Sequence, residues 1–285
     1  MNTSFAKHGD AHRLIDVVFF SDLLRQRCPV LYQSLHDVLQ DNCIDYRWLT
    51  NTNDIWCRDY MPIQAGEQRF VFYKYNPNYL QTPYYKRTIT DVNQVGGIDF
   101  LRHECEMVNL DLVIDGGNVV RCGDKIVMTD KVFVENKDKS RVDVQRLLED
   151  AFQCDVIFLP WDRNEYLGHC DGIIHYVGDN RVLMTNYADF DIAMSQRFIK
   201  VLEKHFEVIP LHYDVKRKHQ RSWAYINFLQ LGNLVLVPQL GLPEDEQALR
   251  QIADAIPQCQ VIGVPALEAV RKGGALNCIS WSIIC

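Results

Sequence analysis

The chain has 285 residues, of which 47% are hydrophobic and 24% are charged, a composition typical of a globular protein with a sizeable core. Its net charge of −7 disfavours a nucleic-acid partner, which usually requires a basic surface, and suits a cationic substrate. No apolar run approaches the ~20 residues of a membrane span, and the polar first fourteen residues lack the apolar core of a signal peptide. We therefore expect a cytoplasmic protein with no membrane partner.

Ten cysteines are scattered along the chain without a C-x-x-C pair. This scatter disfavours both a zinc ribbon and a disulfide scaffold, so we expect reduced thiols. Neither a glycine-rich dinucleotide motif nor a phosphate-binding loop occurs in the sequence, and nucleotide binding therefore has no support. We expect no metal and no cofactor.

Apolar residues at helical spacing predict five helices, of which the second is interrupted by Gly96 and Gly97. In chain order the helices lie near 31–39, 88–101, 144–152, 194–206 and 249–256. A short apolar strand follows each helix and begins near residue 46, 105, 156, 207 or 261. Such regular recurrence is typical of repeated structural units.

Two further strands are predicted in each unit. The second strands lie within 55–64, 112–120, 168–177, 222–231 and 273–283, and third strands follow at 69–75, 125–130, 181–187 and 233–239. The fifth unit has no sequence left for its third strand. We predict that the apolar residues at 15–20 supply this strand and close a ring.

One polar residue recurs at the predicted start of each second strand, and successive positions are separated by 56, 54, 58 and 51 residues. Equivalent positions in units arranged around an axis point towards that axis, so these side chains should meet. The five residues are Asp59, Asp115, His169, Asn227 and Cys278.

At these positions the sequence resembles the agmatine deiminase and bacterial peptidylarginine deiminase family of guanidine-modifying enzymes. The matching motifs, in the family's order, are WCRDYMP (56–62), IDGGN (114–118), GHCDG (168–172), YINF with LVLVPQLG (225–241) and GGALNCIS (273–280). The resemblance implies the pentein fold, a five-bladed α/β propeller of ββαβ-type repeats. We expect one catalytic domain spanning residues 1–285, with the N-terminal strand closing the fifth unit.

Side chains of these motifs suit an attack on a guanidinium carbon. A guanidinium is a planar cation whose N–H fork is matched by carboxylates, and Asp59 and Asp171 are predicted to hold it. Cys278 is the predicted nucleophile, which must act as a thiolate, and His169 is the predicted proton donor and acceptor. The resemblance assigns Asp115 to the imidazole, as the third member of a catalytic triad.

Four other residues are predicted to contact the substrate, each with a structural alternative. Trp56 either walls the site or belongs to the core, and Arg58 either steers a substrate carboxylate or is structural. Asn118 and Asn227 either bind the substrate or fix loops.

The sequence motifs do not identify the substrate. Agmatine deiminases usually carry His immediately before the catalytic Cys, where this chain has Asn277, and usually carry Gly at the position of Met61. Agmatine, free arginine, peptidyl-arginine and other guanidino compounds are all compatible with the motifs. The predicted activity is hydrolysis of the guanidino group to a ureido product and ammonia through a thiouronium adduct. The alternatives are an amidinotransferase, which uses an amine acceptor, and a non-catalytic binding protein of the same fold.

Overall fold

A computed structural model describes residues 17–215 and 220–284, and within them the chain forms five three-stranded sheets. Each sheet is one repeat of the same unit, in which an antiparallel hairpin is followed by a helix and a third strand parallel to the middle one. The predicted α/β architecture of five ββαβ units is confirmed.

The strands of the first four units follow chain order. The first unit contains β3 (Ile63–Gly66), β4 (Arg69–Lys74) and β5 (Glu106–Val113), and the second contains β6 (Val120–Cys122), β7 (Lys125–Thr129) and β8 (Asp155–Leu159). The third contains β9 (Ile174–Gly178), β10 (Arg181–Met184) and β11 (Glu207–Pro210), and the fourth contains β12 (Leu229–Leu231), β13 (Leu234–Gln239) and β14 (Gln260–Pro265).

The fifth unit joins both ends of the described chain. Strand β1 (Val17–Ser21) pairs antiparallel with β15 (Ser280–Ile283), with Val17 opposite Ile283, and parallel with β2 (Tyr46–Leu49). The apolar segment predicted at 15–20 to supply this strand lies in the sheet from residue 17 onwards, while residues 15 and 16 lie outside the described residues.

Four long helices connect the middle and third strands of units five, two, three and four: α2 (Pro29–Asp41), α7 (Arg141–Phe152), α8 (Ile192–Leu202) and α9 (Glu244–Ala255). Shorter helices are α1 (Leu24–Arg27), α3 (Cys57–Tyr60), α4 (Pro83–Lys86), α5 (Asp99–Glu104), α6 (Lys131–Glu135) and α10 (Leu267–Val270). No helix within 17–215 and 220–284 combines the length and the apolar character needed to cross a bilayer.

The helix predicted at 88–101 is wrong over most of its length. Only α5 forms, beginning at Asp99, and a single turn at Val92–Gln94 precedes it. Gly96 pairs through its backbone with Thr50, and Gly97 has a φ of +91°, which an α-helix cannot contain. The backbone conformations of these two glycines prevent a helix from passing through them, so α5 begins only after Gly97.

Buried apolar side chains pack each unit against the next. Helix α7 packs on β8 of its own unit and on β5 of the preceding unit, while α2 packs on β14 and α8 on β8. Val144, Leu148 and Phe152 of α7 are fully buried, in keeping with their helical spacing in the sequence. Every unit therefore depends on its neighbour, which fixes the relative positions of the loops that carry the candidate site.

Candidate active site

The five recurring polar residues lie in tight turns rather than at the starts of strands, which corrects the sequence prediction. Asp115 and His169 each stand directly before a single helical turn, Gly116–Asn118 and Cys170–Gly172. Asp59 lies in α3, Asn227 follows the turn Gln220–Tyr225, and Cys278 precedes β15. Strand side chains alternate between two faces of a sheet, whereas a turn at the end of a unit can direct its side chain towards the neighbouring units.

His169 lies between two carboxylates from different units. Its Nε2 is 3.1 Å from Asp115 Oδ2 and its Nδ1 is 3.6 Å from Asp59 Oδ1. Burial alone would lower the pKa of the imidazole, but Asp59, Asp115 and Asp171 outweigh burial and raise the pKa to about 10. His169 is therefore an imidazolium at neutral pH and can donate a proton.

Asp115 also accepts a hydrogen bond from a second cation, the ammonium group of Lys131. Lys131 Nζ is 2.7 Å from the same oxygen, Oδ2, and 3.0 Å from Glu135 Oε1. Burial alone would raise the pKa of Asp115, but Lys131 and His169 together lower it below its usual range. Asp115 is therefore ionised and orients the imidazole. Neither Lys131 nor Glu135 was predicted, because nothing in the sequence marks these two residues as buried.

Asp59 is a buried carboxylate poised to change its charge near neutral pH. Burial raises its pKa to about 7, against the lowering effect of His169, while Asp115 and Asp171 raise it further. The backbone N–H of Gly117 donates to Asp59 Oδ1 at 3.1 Å. A Cβ at Gly117 would lie 2.7 Å from both that oxygen and His169 Nδ1, so only glycine fits here. A bound cation would stabilise the ionised form of Asp59.

Cys278 and Asp171 lie side by side. Cys278 Sγ is 3.7 Å from Asp171 Oδ2, and Asn277 Nδ2 donates to the same oxygen at 2.8 Å. Burial raises the pKa of the Cys278 thiol well above its usual range, and the carboxylates of Asp171 and Asp59 raise it further. The thiol is therefore protonated until a positive charge arrives near it.

Both predicted asparagines have structural hydrogen bonds. Asn227 Oδ1 accepts from Cys278 N at 3.2 Å, and its Nδ2 donates to the Asp171 carbonyl at 3.3 Å. Asn118 Oδ1 accepts from Thr129 N at 2.8 Å, and its Nδ2 donates to the Thr129 carbonyl at 3.4 Å. These bonds favour the alternative in which the two amides fix loops, with Asn227 joining the nucleophile to Asp171.

Trp56 and Arg58 also take structural positions. Trp56 packs against Gly274, where a Cβ would lie 2.2 Å from its ring. The backbone N–H of Arg58 donates to the Cys278 carbonyl at 3.1 Å. Neither side chain lines the cavity described below, which favours the structural alternative for both.

A cavity of about 500 Å³ opens onto the thiol, the imidazole and the Asp171 carboxylate. Its other lining residues include aromatic and acidic side chains, none of which was predicted, because they lie in loops without a recurring motif. They include Trp161, Tyr187, Phe190 and Trp223, together with Asp162, Glu165 and Asp191. No lysine or arginine of the described residues lines the cavity.

Comparison with known proteins agrees with this geometry. A Vibrio parahaemolyticus protein named "Putative agmatine deiminase" is 24% identical over 282 residues, which cover 81% of this chain and 76% of that protein. A Marinomonas relative of the same name is 25% identical over 209 residues, which cover 60% of this chain and 57% of that protein.

Solved structures share the fold across nearly the whole chain. The C. jejuni agmatine deiminase superposes with a TM-score of 0.76 at 16% identity, covering 98% of this chain and 96% of that one. A variant of that enzyme with a cysteine replaced by serine, solved with substrate bound, gives a TM-score of 0.74 at 16% identity over 100% and 99% of the two chains.

The family model of the Porphyromonas-type peptidyl-arginine deiminases matches residues 25–283. This match, with the solved structures, confirms the family, the pentein fold and the deiminase class that the sequence predicted. The chain belongs to the Porphyromonas-type peptidyl-arginine deiminase family.

Proposed function

We propose that the protein hydrolyses a guanidino group to a ureido group and ammonia, through a covalent adduct on Cys278. One observation carries the proposal: the Cys278 thiol, the His169 imidazolium and the Asp171 carboxylate line one cavity, and Asp59 and Asp115 lie beside the imidazole. These groups supply a nucleophile, a proton donor and a binding site for a flat cation, which is the complete set that the reaction needs.

The guanidinium is held by carboxylates. Asp171 faces the cavity, and Asp59 lies behind His169 at 3.6 Å from its Nδ1. Each carboxylate can accept two N–H groups of a guanidinium, which fixes both the position and the plane of the cation. Cys278 Sγ lies 3.7 Å from Asp171 Oδ2, which supports a pose in which the guanidinium carbon approaches the sulfur to the separation of about 3–3.5 Å that attack requires.

Binding also activates the nucleophile. In the empty site, burial and the nearby carboxylates keep Cys278 protonated. A guanidinium between those carboxylates neutralises their charge and adds a positive charge beside the sulfur, which favours the thiolate. The thiol thus becomes nucleophilic only when a substrate is present.

Two proton transfers at His169 complete the reaction. The thiolate attacks the guanidinium carbon, and the imidazolium donates its proton to the terminal nitrogen, which leaves as ammonia when its C–N bond breaks. The neutral imidazole then accepts a proton from water as the hydroxyl adds to the same carbon. As the C–S bond breaks, the proton of the added hydroxyl group passes to the departing sulfur, so the ureido product leaves uncharged and Cys278 returns as a thiol.

The residues that line the cavity indicate which chemical group the substrate carries at its tail, the end of the molecule away from the guanidinium. Asp162, Glu165 and Asp191 line the cavity together with Asp171, and no lysine or arginine of the described residues lines it. A carboxylate on the substrate would meet like charge, whereas an amine would meet opposite charge. We therefore infer that guanidino amines such as agmatine are better substrates than free arginine.

A substrate panel tests the activity and the tail together. Agmatine, arginine, arginine methyl ester and N-acetyl-arginine amide are incubated without any added amine, and ammonia and ureido product are measured. Wild type should convert agmatine, with a kcat/KM roughly tenfold or more above that for arginine. Cys278→Ala should lower turnover by about 10⁴-fold or more.

The outcomes separate the alternatives. Ureido product formed without an amine acceptor excludes an obligatory amidinotransferase. No turnover of any guanidine by the folded wild type would contradict the proposed activity. Arginine processed as well as agmatine would contradict the inference about the tail alone.

A further inference from the structure

Lys131 and Glu135 form a buried ion pair that the proposed reaction steps do not use. The Lys131 side chain is 0% exposed and that of Glu135 is 4% exposed. Buried ion pairs contribute little net stability, because desolvation offsets the attraction between the charges. A function other than stability is therefore the better explanation for this pair.

The ammonium of Lys131 shares one oxygen with the catalytic imidazole. Asp115 Oδ2 lies 2.7 Å from Lys131 Nζ and 3.1 Å from His169 Nε2. The other carboxylate oxygen, Oδ1, is buried with no partner among the described residues. The negative charge of Asp115 is thus divided between two cations at a single atom.

Packing holds Lys131 in this position. Its ammonium lies 4.8 Å from the centre of the Tyr79 ring, a distance typical of a cation–π contact. A Cβ at Gly168 would lie 2.6 Å from Lys131 Cδ, so the stem of the lysine passes directly over the residue before His169. The lysine and the histidine are therefore fixed relative to each other.

We propose that Lys131 is a positioning residue that shares the Asp115 carboxylate with His169 and so lets the imidazole give up its proton. This inference rests on the proposed function. The alternating order Glu135, Lys131, Asp115, His169 keeps Asp115 ionised and oriented while weakening its hold on the imidazolium. The second half of the reaction needs a neutral His169 to accept a proton from water, and Lys131 makes that form accessible.

The charged groups around His169 determine in which direction Lys131 shifts the pKa of the imidazole. Its ring nitrogens face Asp115 and Asp59, the Tyr79 hydroxyl lies 3.4 Å from Nε2, and Asp171 raises its pKa from further away. Lys131 is the cation that opposes these carboxylates through Asp115. Without it, Asp115 attracts the imidazolium proton more strongly, and a higher pH is needed to form the neutral imidazole.

The test compares the pH dependence of kcat for wild type, Lys131→Met and Glu135→Gln with agmatine as the substrate. A unit charge roughly 5 Å away at an effective dielectric constant of about 20 moves a titration by about one to two pH units after allowance for relaxation. The midpoint of the rise in kcat should therefore move up by that amount in Lys131→Met. kcat at pH 7 should fall about 10- to 100-fold and KM should fall with it, so that kcat/KM changes less than about threefold, because slower hydrolysis of the adduct lowers both constants together.

Intact-protein mass spectrometry on quenched reactions gives a second measurement. The adduct on Cys278 should accumulate in Lys131→Met, because only its hydrolysis is slowed. Glu135→Gln is the matched control: it removes the opposite charge and keeps Lys131 beside Asp115, so its midpoint should stay in place or move down. The double variant Lys131→Met/Glu135→Leu, which leaves no unpaired charge, replaces Lys131→Met if that variant does not fold.

The results distinguish this inference from the proposed function. Wild type that makes no ureido product contradicts the function itself. Wild type that turns over, combined with an unchanged or lowered midpoint in the folded lysine variant, overturns the role of Lys131 alone.

Discussion

Replacing Asp171 with asparagine should make the thiol of the empty enzyme more reactive while it weakens catalysis. Asp171 Oδ2 lies 3.7 Å from Cys278 Sγ and helps keep the thiol protonated. The variant Asp171→Asn removes one negative charge and retains the shape of the side chain. It also removes a carboxylate that the proposed reaction needs to bind guanidinium.

The size of the effect follows from the separation. Two unit charges at 3.7 Å repel by about 4 kcal/mol at an effective dielectric constant of about 20, which limits the gain in thiolate to roughly 1000-fold. A less basic thiolate is a weaker nucleophile, with a Brønsted coefficient of about 0.5, so the gain in rate is limited to roughly 30-fold. We expect alkylation of Cys278 to be about 5- to 30-fold faster in the variant.

The assay is alkylation by iodoacetamide at pH 7, with the Cys278 peptide resolved by mass spectrometry from the other cysteine peptides. Guanidinium chloride at non-denaturing concentration should accelerate the reaction in wild type and have little effect in Asp171→Asn. Asp162→Asn is the matched control, because it removes another carboxylate that lines the same cavity. Equal alkylation rates in wild type and Asp171→Asn would refute the electrostatic reasoning.

Three further outcomes concern the residues around the imidazole. Since burial raises the pKa of Asp59 to about 7, kcat/KM of wild type should fall about tenfold per pH unit below that value as the carboxylate takes a proton and loses its attraction for guanidinium; a flat acid limb would contradict this assignment. Asp59 ionises at a lower pH in the unfolded chain than in the folded one, so its contribution to the stability of wild type falls as pH rises from about 4 to 7. At pH 8, Asp59→Asn should therefore need more urea to unfold, with a free energy of unfolding about 1–3 kcal/mol higher than that of wild type. Equal urea midpoints would show that the buried charge does not destabilise the protein. Gly117→Ala should lower kcat by about 100-fold or more, because the added Cβ would lie 2.7 Å from Asp59 Oδ1 and from His169 Nδ1. Gly172→Ala is the control and should lose far less activity, because its added Cβ would meet nothing within 4 Å. Similar losses of kcat in the two variants would exclude the clash as the cause.

Recurrence in the sequence predicted the repeated units, and the resemblance of the motifs implied the propeller that these units build. Apolar helices and strands repeat in five units, and the strand at 15–20 was assigned to the fifth unit because that unit lacked one. The prediction erred at 88–101, where apolar residues occur at helical spacing but Gly96 and Gly97 form a bridge and a turn. Local backbone geometry overrode the side-chain pattern there.

The candidate site was only partly predictable. Asp59, Asp115, His169 and Cys278 stand out because each occupies an equivalent place in a repeated unit. Lys131 does not stand out, since a lysine in a short helix usually indicates a solvent-exposed position. Its burial depends on Asp115 and Glu135, which only the folded chain brings to it. The cavity walls were missed for a similar reason, because loop residues carry no periodic signal.

The pairing of β1 with β15 has a consequence for how the enzyme is made. Val17 lies opposite Ile283, so β1 is synthesised before its partner β15, with the strands of all four other units between them. Until β15 is made, one sheet has an unpaired edge, which is the kind of surface that promotes aggregation. The turn bearing Cys278 directly precedes β15. A nascent chain that has not reached this turn therefore lacks both the candidate nucleophile and the strand that completes the fifth sheet.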